Sequence, residues 1–286
     1  MNGHRLTLRQ RLPLRLDLRG VLPGALAALD LAAIERLPVA HGREWLQLAE
    51  CFHIEAFESA SAEQPSLHLI GDLARVDHIG WGLDGGEILV DGPVGDHLGS
   101  TMRAGTVRVR GSAGDLAGVE MAGGELHIEG DAGHFVASPL PGGMDGMRGG
   151  LICIHGRAGD RLGDRMRRGT VIVGGDVGDF AASRLVAGSV LLGGRAGAHP
   201  GYGQRRGSLV WLQPDAAPEP PATFMPGLGD SSVFWQLFAR DLARLGQQHF
   251  SGRPLADTLA ALPQRHPQRW RGDLAVDGHG EWLLPR

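Results

Sequence analysis

The 286-residue sequence contains no lysine, so all 28 of its basic side chains other than histidine are arginines. The absence of lysine excludes a Schiff-base lysine, a phosphate-loop lysine and a Ser-Lys dyad. Against 32 acidic residues the formal net charge is -4. A general nucleic-acid binder presents a strongly basic face, so this balance argues against nucleic acid as a partner.

Cysteine is scarce, with Cys51 and Cys153 as the two in the chain. Two cysteines do not make a disulfide framework, and such a low count is typical of a reducing compartment. The leucine- and arginine-rich first 20 residues lack the uninterrupted apolar segment of a secretory signal. No stretch reaches the roughly 18 apolar residues that a membrane span requires. We therefore expect a soluble, cytoplasmic protein without a membrane partner.

Glycine, by contrast, is abundant and periodic. Between Gly86 and Gly207 a template recurs every 19 residues, except for a step of 26 between Gly124 and Gly150. Glycine also stands at offsets 6 and 9 of each repeat, and glycine or alanine at offset 13. The repeat-starting residues are Gly86, Gly105, Gly124, Gly150, Gly169, Gly188 and Gly207. Self-similarity of this kind indicates a solenoid, in which each repeat buries its apolar side by stacking on the next.

Each repeat carries apolar residues at offsets 2 and 4, as in the pairs Ile88/Val90 and Val171/Val173. Alternating positions lie on one face of a strand, so stacked repeats would form two apolar ladders inside a parallel β-helix. The glycines are expected at the turns, because positive φ is nearly free of strain for glycine alone. The sequence thus predicts an all-β-dominated fold.

Composition divides the chain into four predicted parts. Residues 1–66 are predicted to form a mixed α/β cap. Within it we expect a strand or hairpin arm over 5–18 and a helix over 25–37 that Pro38 ends. A strand pair over 45–57 and a polar loop over 58–66 should follow. Residues 67–213 form the repeats, 214–229 a Pro-rich linker, and 230–286 a C-terminal helix and tail. A cap is expected because an open end would expose core and an unpaired strand edge.

The outward strand positions change character along the chain. Early repeats carry charges there, whereas from Gly150 onward the residues are Leu151, Cys153, Ile172, Leu191, Val210 and Leu212. An apolar stripe of that size predicts a cover. A helix beginning at Ser231 or Ser232 and ending at Gly246 has one apolar side, and we expect it to pack on the late repeats or on a partner subunit. The tail over 270–284 predicts a strand and a turn near Asp277-Gly278.

Catalytic and metal-binding motifs are not evident. The Gly-x-x-Gly loops resemble phosphate cradles, but the next strand follows too soon for the crossover helix of a dinucleotide site. The thirteen histidines form no His-x-x-x-His or related ligand spacing, so no metal site and no catalytic residue is predicted within this chain. His97 and His134 are interpreted as exposed turn residues, and Cys153 as a packing residue.

Two features are candidates for binding a cofactor or a partner. The first is the enlarged loop at 138–150, with Gly142, Gly143 and Met144 at its centre, although a tolerated surface excursion explains it equally well. The second is an arginine ladder at offset 17, with Arg168 and Arg206 beside it; an ordinary solvated edge is the alternative. The ladder residues are Arg103, Arg148, Arg167 and Arg205.

The Gly-x-x-Gly repeats, the Pro-Gly-Gly-Met…Gly-Met-Arg-Gly-Gly segment at 141–150 and the trailing helix together resemble a known family. They are similar to the C subunit of formylmethanofuran dehydrogenase, and most of all to its bacterial counterpart in the formyltransferase/hydrolase complex of methylotrophs. The likeness covers about 67–213 well and both ends more loosely. The repeats also resemble the C-terminal domain of large glutamate synthase subunits, which implies a right-handed parallel β-helix.

The resemblance implies a role in one-carbon metabolism, in formaldehyde oxidation. The family complex moves a formyl group from formyl-tetrahydromethanopterin to a methanofuran-type cofactor with a polyglutamyl tail, and then releases formate. The C subunit is its scaffold, the metal lies in the A subunit, and the transferase site lies in the D subunit. The expected partners are therefore the A, B and D subunits in a hetero-oligomer, with a dimer of heterotetramers as one arrangement. No cofactor is expected to bind this chain alone.

Three alternatives remain at this point. The chain could be the C subunit of an archaeal tungsten or molybdenum formylmethanofuran dehydrogenase, or a glutamate synthase-like amidotransferase domain. A polysaccharide-binding or polysaccharide-cleaving β-helix is the weakest, because the chain has a single tyrosine and no secretory signal. The arginine ladder is hypothesised to dock the polyglutamyl tail or an acidic strip of a sister subunit.

Overall fold

The computed structural model describes residues 2–59, 64–227 and 232–286. Within those residues the protein is mostly β, with thirteen strands in one large sheet, four in a small sheet, and a long helix near the C-terminus. None of the helices in these segments is long and apolar enough to cross a bilayer.

Residues 2–57 form the start of the large sheet and most of the small one. In chain order they contain β1 (Gly3–Leu8), β2 (Leu16–Asp17), α1 (Pro23–Ala27), α2 (Leu31–Glu35), β3 (Pro38–His41), β4 (Glu44–Gln47), α3 (Leu48–Cys51) and β5 (Phe52–Phe57). The small sheet has the order β4-β3-β2-β7, where β7 is Val76–Asp77.

Three sequence predictions for this region need correction. The strand predicted over 5–18 is two strands in different sheets, β1 and β2. The helix predicted over 25–37 is two short helices, because the Asp30 carboxylate accepts a hydrogen bond from the Ala33 amide (2.7 Å) and starts a new one. The strand pair over 45–57 is wrong, since β4 pairs with β3 and β5 pairs with β1. Of the loop over 58–66, residues 60–63 lie outside the described residues and Ser66 already belongs to a strand.

The repeat region supplies the centre of the large sheet. Its strands are β6 (Ser66–Ile70), β8 (Asp84–Asp91), β9 (Ala104–Val109), β10 (Glu125–Ile128), β11 (Arg148–Ile154), β12 (Arg168–Val173), β13 (Ser189–Leu192) and β14 (Ser208–Trp211). Neighbours in this series are parallel and in register, as in Leu126 opposite Ile152. A second line of parallel bridges joins Ala113, Ala132, Ala158, Val177 and Ala196. Successive repeats therefore stack at more than one place along their length.

The apolar ladders predicted at offsets 2 and 4 are confirmed. All fourteen side chains, from Ile88 to Trp211, are at most 1% exposed. Close-packed side chains from neighbouring repeats fill the space between the two lines of bridges, so burial of these ladders stabilises the stack.

The glycines have two physical roles rather than the single one predicted. Repeat-starting glycines such as Gly86 adopt positive φ (81°), as expected for a turn. Gly111, at offset 6, does not; instead a Cβ there would lie 2.6 Å from the carbonyl carbon of Gly92 in the preceding repeat. At offset 9, a Cβ on Gly114 would lie 2.2 Å from Asp96 Oδ1. These later glycines allow close approach of successive backbones.

The C-terminal part adds three strands to one end of the large sheet and covers one of its faces. It contains β15 (Met225–Pro226), α4 (Ser232–His249), α5 (Pro254–Ala261), β16 (Pro267–Gly272) and β17 (Gly280–Pro285). β17 runs parallel to β14 and antiparallel to β16, and the turn between β16 and β17 includes Asp277 at φ 54°. The strand and turn predicted for the tail are thus present, within a hairpin.

The predicted helix is confirmed as a cover for the late repeats. Trp235, Leu242 and Leu259 form a second apolar cluster with the outward strand residues Leu151, Cys153, Ile172, Leu191, Val210 and Leu212.

The start predicted for this helix agrees with the structure, and the predicted end does not. Of the two predicted starts, Ser232 is the first residue of α4, and Ser231 lies outside the described residues. The predicted end is wrong, because α4 continues through Gly246 to His249. Gly246 is buried, and a Cβ there would lie 2.7 Å from Leu259, so glycine allows α5 to pack closely.

Candidate functional site

The enlarged loop leaves the apolar core and returns to it at adjacent points. Ala137 and Met147 are both fully buried, and the Met147 amide donates to the Ala137 carbonyl (2.9 Å). Further bonds hold the loop between them: among others, the Gly143 amide donates to Leu140 O (2.8 Å), and the Leu140 amide donates to the Glu120 carboxylate (3.2 Å). The loop therefore has a fixed base and a defined turn at the positions singled out from sequence.

A cavity of about 520 Å³ lies between this loop and the neighbouring repeats on both sides, with lining residues from Asp115 to Arg184. Arg165 donates from Nη1 to the Gly143 carbonyl (3.2 Å), and Met144 stands at the rim with 70% of its surface exposed. The buried Asp164 carboxylate accepts from Arg184 Nε (2.9 Å) and from the Ser183 hydroxyl (2.7 Å). These bonds fix two guanidinium groups against the cavity wall.

Two more cavities adjoin the first and extend it along the stack. The second cavity, of about 330 Å³, shares Met144, Arg165 and Arg184 with the first. The third, of about 480 Å³, shares Arg167, Val186 and Arg205 with the second. We call the three together the basic groove. Its arginines are Arg161, Arg165, Arg167, Arg168, Arg184, Arg205 and Arg206.

The predicted arginine ladder is interrupted. Ala122 and Val186 occupy the same offset in the intervening repeats, so Arg148 and Arg167 are the one pair in consecutive repeats. All four ladder arginines are exposed, but the residues lining the basic groove include Arg167 and Arg205 and not Arg103 or Arg148. The predicted binding residues that the structure brings together are Gly142, Gly143, Met144, Arg167 and Arg205.

The gap in the ladder creates the most basic part of the groove. Val186 and Ala187 form its floor, with Arg167 and Arg168 on one side and Arg205 and Arg206 on the other. Arg167 pairs with Asp145 of the enlarged loop. Among the described residues, Arg168, Arg205 and Arg206 form no side-chain ion pair. Unpaired guanidinium groups at both edges of a cleft suit carboxylates, which they can bind in a bidentate way.

Sequence reasoning missed Arg165 and Arg184, which lie at offset 15 of consecutive repeats. Both adopt positive φ (52°), as does Arg161 (59°), a conformation that non-glycine residues seldom occupy. Arg161 stacks over the Phe180 ring, with 4.9 Å between Cζ and the ring centroid. The recurrence of arginine at one offset in neighbouring repeats is the signal that could have identified the pair.

The fold brings together two histidines and one cysteine that no sequence spacing connects. The ligand atoms of His127, Cys153 and His249 all lie within 4.8 Å of one another, and the His127 and His249 rings stack at 4.7 Å. Burial lowers the pKa of His127 to about 4, with Arg108 contributing and Glu125 opposing. Burial likewise raises the pKa of the Cys153 thiol. Cys153 does lie among apolar neighbours, as predicted.

A second histidine pair lies near the first repeat. His97 is partly buried and its ring stacks on that of His78 at 4.7 Å, with Trp81 at 5.6 Å, so its prediction as an exposed turn residue is wrong. His134 is exposed, as predicted, and its Nδ1 accepts from the Asp160 amide (3.0 Å).

Comparisons with known proteins give one consistent result. No family model matches the sequence. The Fhc C subunit of the formyltransferase/hydrolase complex of Methylorubrum extorquens is 41% identical over 90 residues, which is 32% of this chain and 32% of that protein. The matched segment thus spans about a third of that relative.

The structural likeness extends much further. The crystal structure of the formyltransferase/hydrolase complex (FhcABCD) from Methylorubrum extorquens, in complex with methylofuran, contains a chain that is 39% identical, with a TM-score of 0.85. The alignment covers 99% of this chain and 99% of that one. On this identity along the full length of both chains, the protein belongs to the family of C subunits of the formyltransferase/hydrolase complex.

Proposed function

We propose that this chain is the non-catalytic scaffold subunit of a formyltransferase/hydrolase complex, assembled with A, B and D subunits. The observation that carries the proposal is the 39% identity, over 99% of both chains, to a chain of the FhcABCD complex. The complex would transfer formyl from formyl-tetrahydromethanopterin to a methanofuran-like cofactor and release formate, in the cytoplasm. Both likenesses are to the hydrolase complex, which favours it over the archaeal dehydrogenase and the amidotransferase.

The repeat region is proposed to wind as a right-handed parallel β-helix. The parallel register of β8 to β14 and the second line of parallel bridges support it, since both recur with the 19-residue step. Residues 1–66, 67–213, 214–229 and 230–286 stay the proposed division of the chain, of which residues 1, 60–63 and 228–231 lie outside the described residues. A stack of this kind suits a scaffold, because each repeat adds outward positions without disturbing the core.

The basic groove is proposed to dock the glutamyl tail of the methanofuran-type cofactor. The fit rests on charge and shape: Arg168, Arg205 and Arg206 lack ion pairs within the part of the chain that the structure describes, and they border a cleft of about 480 Å³ with an apolar floor. A chain of carboxylates would meet guanidinium groups on both sides of that cleft. The related complex contains methylofuran, which agrees with a cofactor of this class.

Co-purification tests the assembly. A tagged full-length chain, co-expressed with the A, B and D subunits of its own organism, should elute with all three in constant stoichiometry. Metal and cluster analysis of the eluate separates the two complexes, because the dehydrogenase would bring tungsten or molybdenum and iron–sulfur clusters. A tagged chain that elutes alone from cells containing the other subunits refutes the proposal.

Substitution in the groove tests the docking site separately. The double variant R205A/R206A should assemble normally but retain less cofactor after purification, measured by mass spectrometry of the released cofactor. R103A is the matched control, because Arg103 is an exposed ladder arginine outside the groove. Equal cofactor content in wild type, R205A/R206A and R103A would show that these arginines are ordinary surface charges.

A further inference from the structure

Two imidazoles and one thiol meet where the C-terminal end of α4 contacts the large sheet. His127 on β10 and Cys153 on β11 are register partners on neighbouring parallel strands, and both are buried. His249, the last residue of α4, brings the third group to the same point. The three are 26 and 96 positions apart in sequence, so the topology alone unites them.

The spacing of the three groups is close to that of a metal centre. Their ligand atoms lie within 4.8 Å of one another. Bonds of about 2.0–2.3 Å to a tetrahedral zinc ion place ligand atoms about 3.5 Å apart. The cluster therefore needs to contract by about 1 Å, which rotation of the partly exposed His249 side chain can provide.

Hydrogen bonding leaves nitrogen atoms of both imidazoles available. His127 Nε2 lies 3.1 Å from a Glu125 carboxylate oxygen. In the tautomer that carries its proton on Nε2, this oxygen accepts the hydrogen bond and Nδ1 keeps a lone pair for a cation. Histidine ligands of metals characteristically donate their other N–H to a carboxylate in this way. His249 Nδ1 is buried and has no hydrogen-bond partner among the described residues, so binding a cation at this atom would break no existing hydrogen bond.

We propose that His127, Cys153 and His249 bind one divalent cation of intermediate softness, zinc above all. One thiolate with two imidazoles is a ligand set that zinc favours. On binding, the Cys153 S–H bond breaks, its proton passes to water, and the sulfur forms a bond to the cation. The thiolate is then no longer an isolated buried charge. Water completes the four-coordinate shell from the His249 side, where the cluster reaches the surface.

The cation would tie the C-terminal helices to the repeats. The helices and the segment between them also contact the repeats through the second apolar cluster, through the stacked rings of His155 and Phe250, and through an ion pair between Arg253 and Glu129 (3.4 Å). A metal bond between His249 and the two strand residues adds a directional link at the far end of α4. The role assigned to the ion is therefore structural, and it is independent of the proposed subunit assembly.

Metal content of the full chain, in the assembly in which it is purified, tests the proposal. Protein from zinc-supplemented cells should contain one more zinc per chain than its Cys153→Ser or His249→Ala variant, by elemental analysis. Cys51→Ser is the matched control, because Cys51 is the other free, buried cysteine. It directly precedes β5, an edge strand of the large sheet, whereas Cys153 lies on β11 in the middle of that sheet. Equal zinc in wild type, Cys153→Ser and His249→Ala overturns the proposal.

Cobalt gives a readout that does not depend on the stability of a variant. Co²⁺ added to the wild-type, metal-free protein should produce the intense thiolate-to-cobalt charge-transfer absorption, saturating at one equivalent per chain, with one proton released. His249→Gln, which keeps a polar side chain at the partly exposed position, should lose the band while retaining the far-UV spectrum. Wild type without that absorption would refute the site.

Discussion

Some glycines of this protein are required because two backbone segments approach each other closely, and others because a turn needs positive φ. Gly92 combines both requirements, with φ 144° and a position at which a Cβ would lie 1.9 Å from the Gly71 carbonyl oxygen. Gly85, at the beginning of β8, differs, because a Cβ there would meet no atom within 4 Å. The periodicity of glycine predicted turns, but it carried no information on which glycines face a neighbouring carbonyl.

Replacing Gly92 with alanine should reduce the free energy of unfolding by about 2–4 kcal/mol, since the new Cβ both strains the backbone and collides with a carbonyl that a neighbouring repeat holds in place. Gly85→Ala is the control and should change stability by no more than about 0.5 kcal/mol. Urea denaturation of the two variants beside wild type measures the difference. Equal midpoints for both variants would contradict the close-approach argument.

The stacked histidines near the first repeat make stability depend on pH. Burial is the main cause that lowers the pKa of both His78 and His97. The unfolded chain therefore takes up protons at these residues below about pH 6.5, whereas the folded chain resists until lower pH. Their contribution to stability should accordingly be complete above that pH and fall as the pH drops towards the folded pKa values.

His97→Asn should make the decline in unfolding midpoint between about pH 7 and about pH 5 shallower. Asparagine is suited to this position because His97 has φ 63°, a conformation that asparagine tolerates. His53→Gln is the control, since His53 is an exposed strand residue. Thermal unfolding across this pH range gives the slopes, and an unchanged slope in His97→Asn would rule out this origin of the acid sensitivity.

At the scale of elements, α4 has one face on the sheet and one face outward. Leu242 is 1% exposed within the second apolar cluster, whereas Leu237 is 65% exposed on the same helix. The sequence predicted the helix and its apolar side because the spacing repeats every three to four residues. It did not predict that the helix passes Gly246, because the reason is α5, a separate element that packs against that glycine.

Leu242→Ala should cost about 2–4 kcal/mol of unfolding free energy, because it leaves a cavity between α4 and the sheet. Leu237→Ala removes the same atoms from the exposed face and should cost less than about 0.5 kcal/mol. Chemical denaturation monitored by tryptophan fluorescence is informative here, since Trp235 lies in the same cluster. Similar losses in both variants would show that α4 is not anchored through the Leu242 face.

At the scale of the whole molecule, the large sheet is a row of strands whose last repeat is covered by another strand. β17 pairs with β14, and its Trp282 packs against Trp211 with ring centroids 5.4 Å apart. A chain that ends after Gln264 would lack β16 and β17 and would expose the edge of β14. Exposed edges pair with other chains, so this truncation should form aggregates.

Light scattering and size-exclusion chromatography measure that outcome. A chain lacking only Arg286 serves as the control, because it keeps both strands of the hairpin. The full chain and this control should elute alike, and the longer truncation should elute earlier or precipitate. A truncated chain that stays dispersed, with an unchanged elution position, would show that the hairpin is not needed to protect the edge.

The repeat architecture was the most predictable property of the molecule, and the sites were the least. Ladders such as Ile88 and Val90 repeat at a constant step, so one repeat predicts the next. Cys153 and His249 meet only because a helix folds back over a sheet, and no local pattern records such a contact. Arg165 and Arg184 were partly predictable. Their shared offset is visible in the sequence, but their place beside the enlarged loop is visible only in the structure.

The adjacent exit and return points of the enlarged loop have an evolutionary consequence. Because the chain rejoins the stack beside the place where it departed, extra residues there do not disturb the pitch of the repeats on either side. Lineages can lengthen, shorten or replace the excursion while inheriting the same framework. Extra residues at this position should therefore leave the flanking repeats unchanged, whereas replacement of the whole loop would also remove its contacts to Arg165 and Arg167.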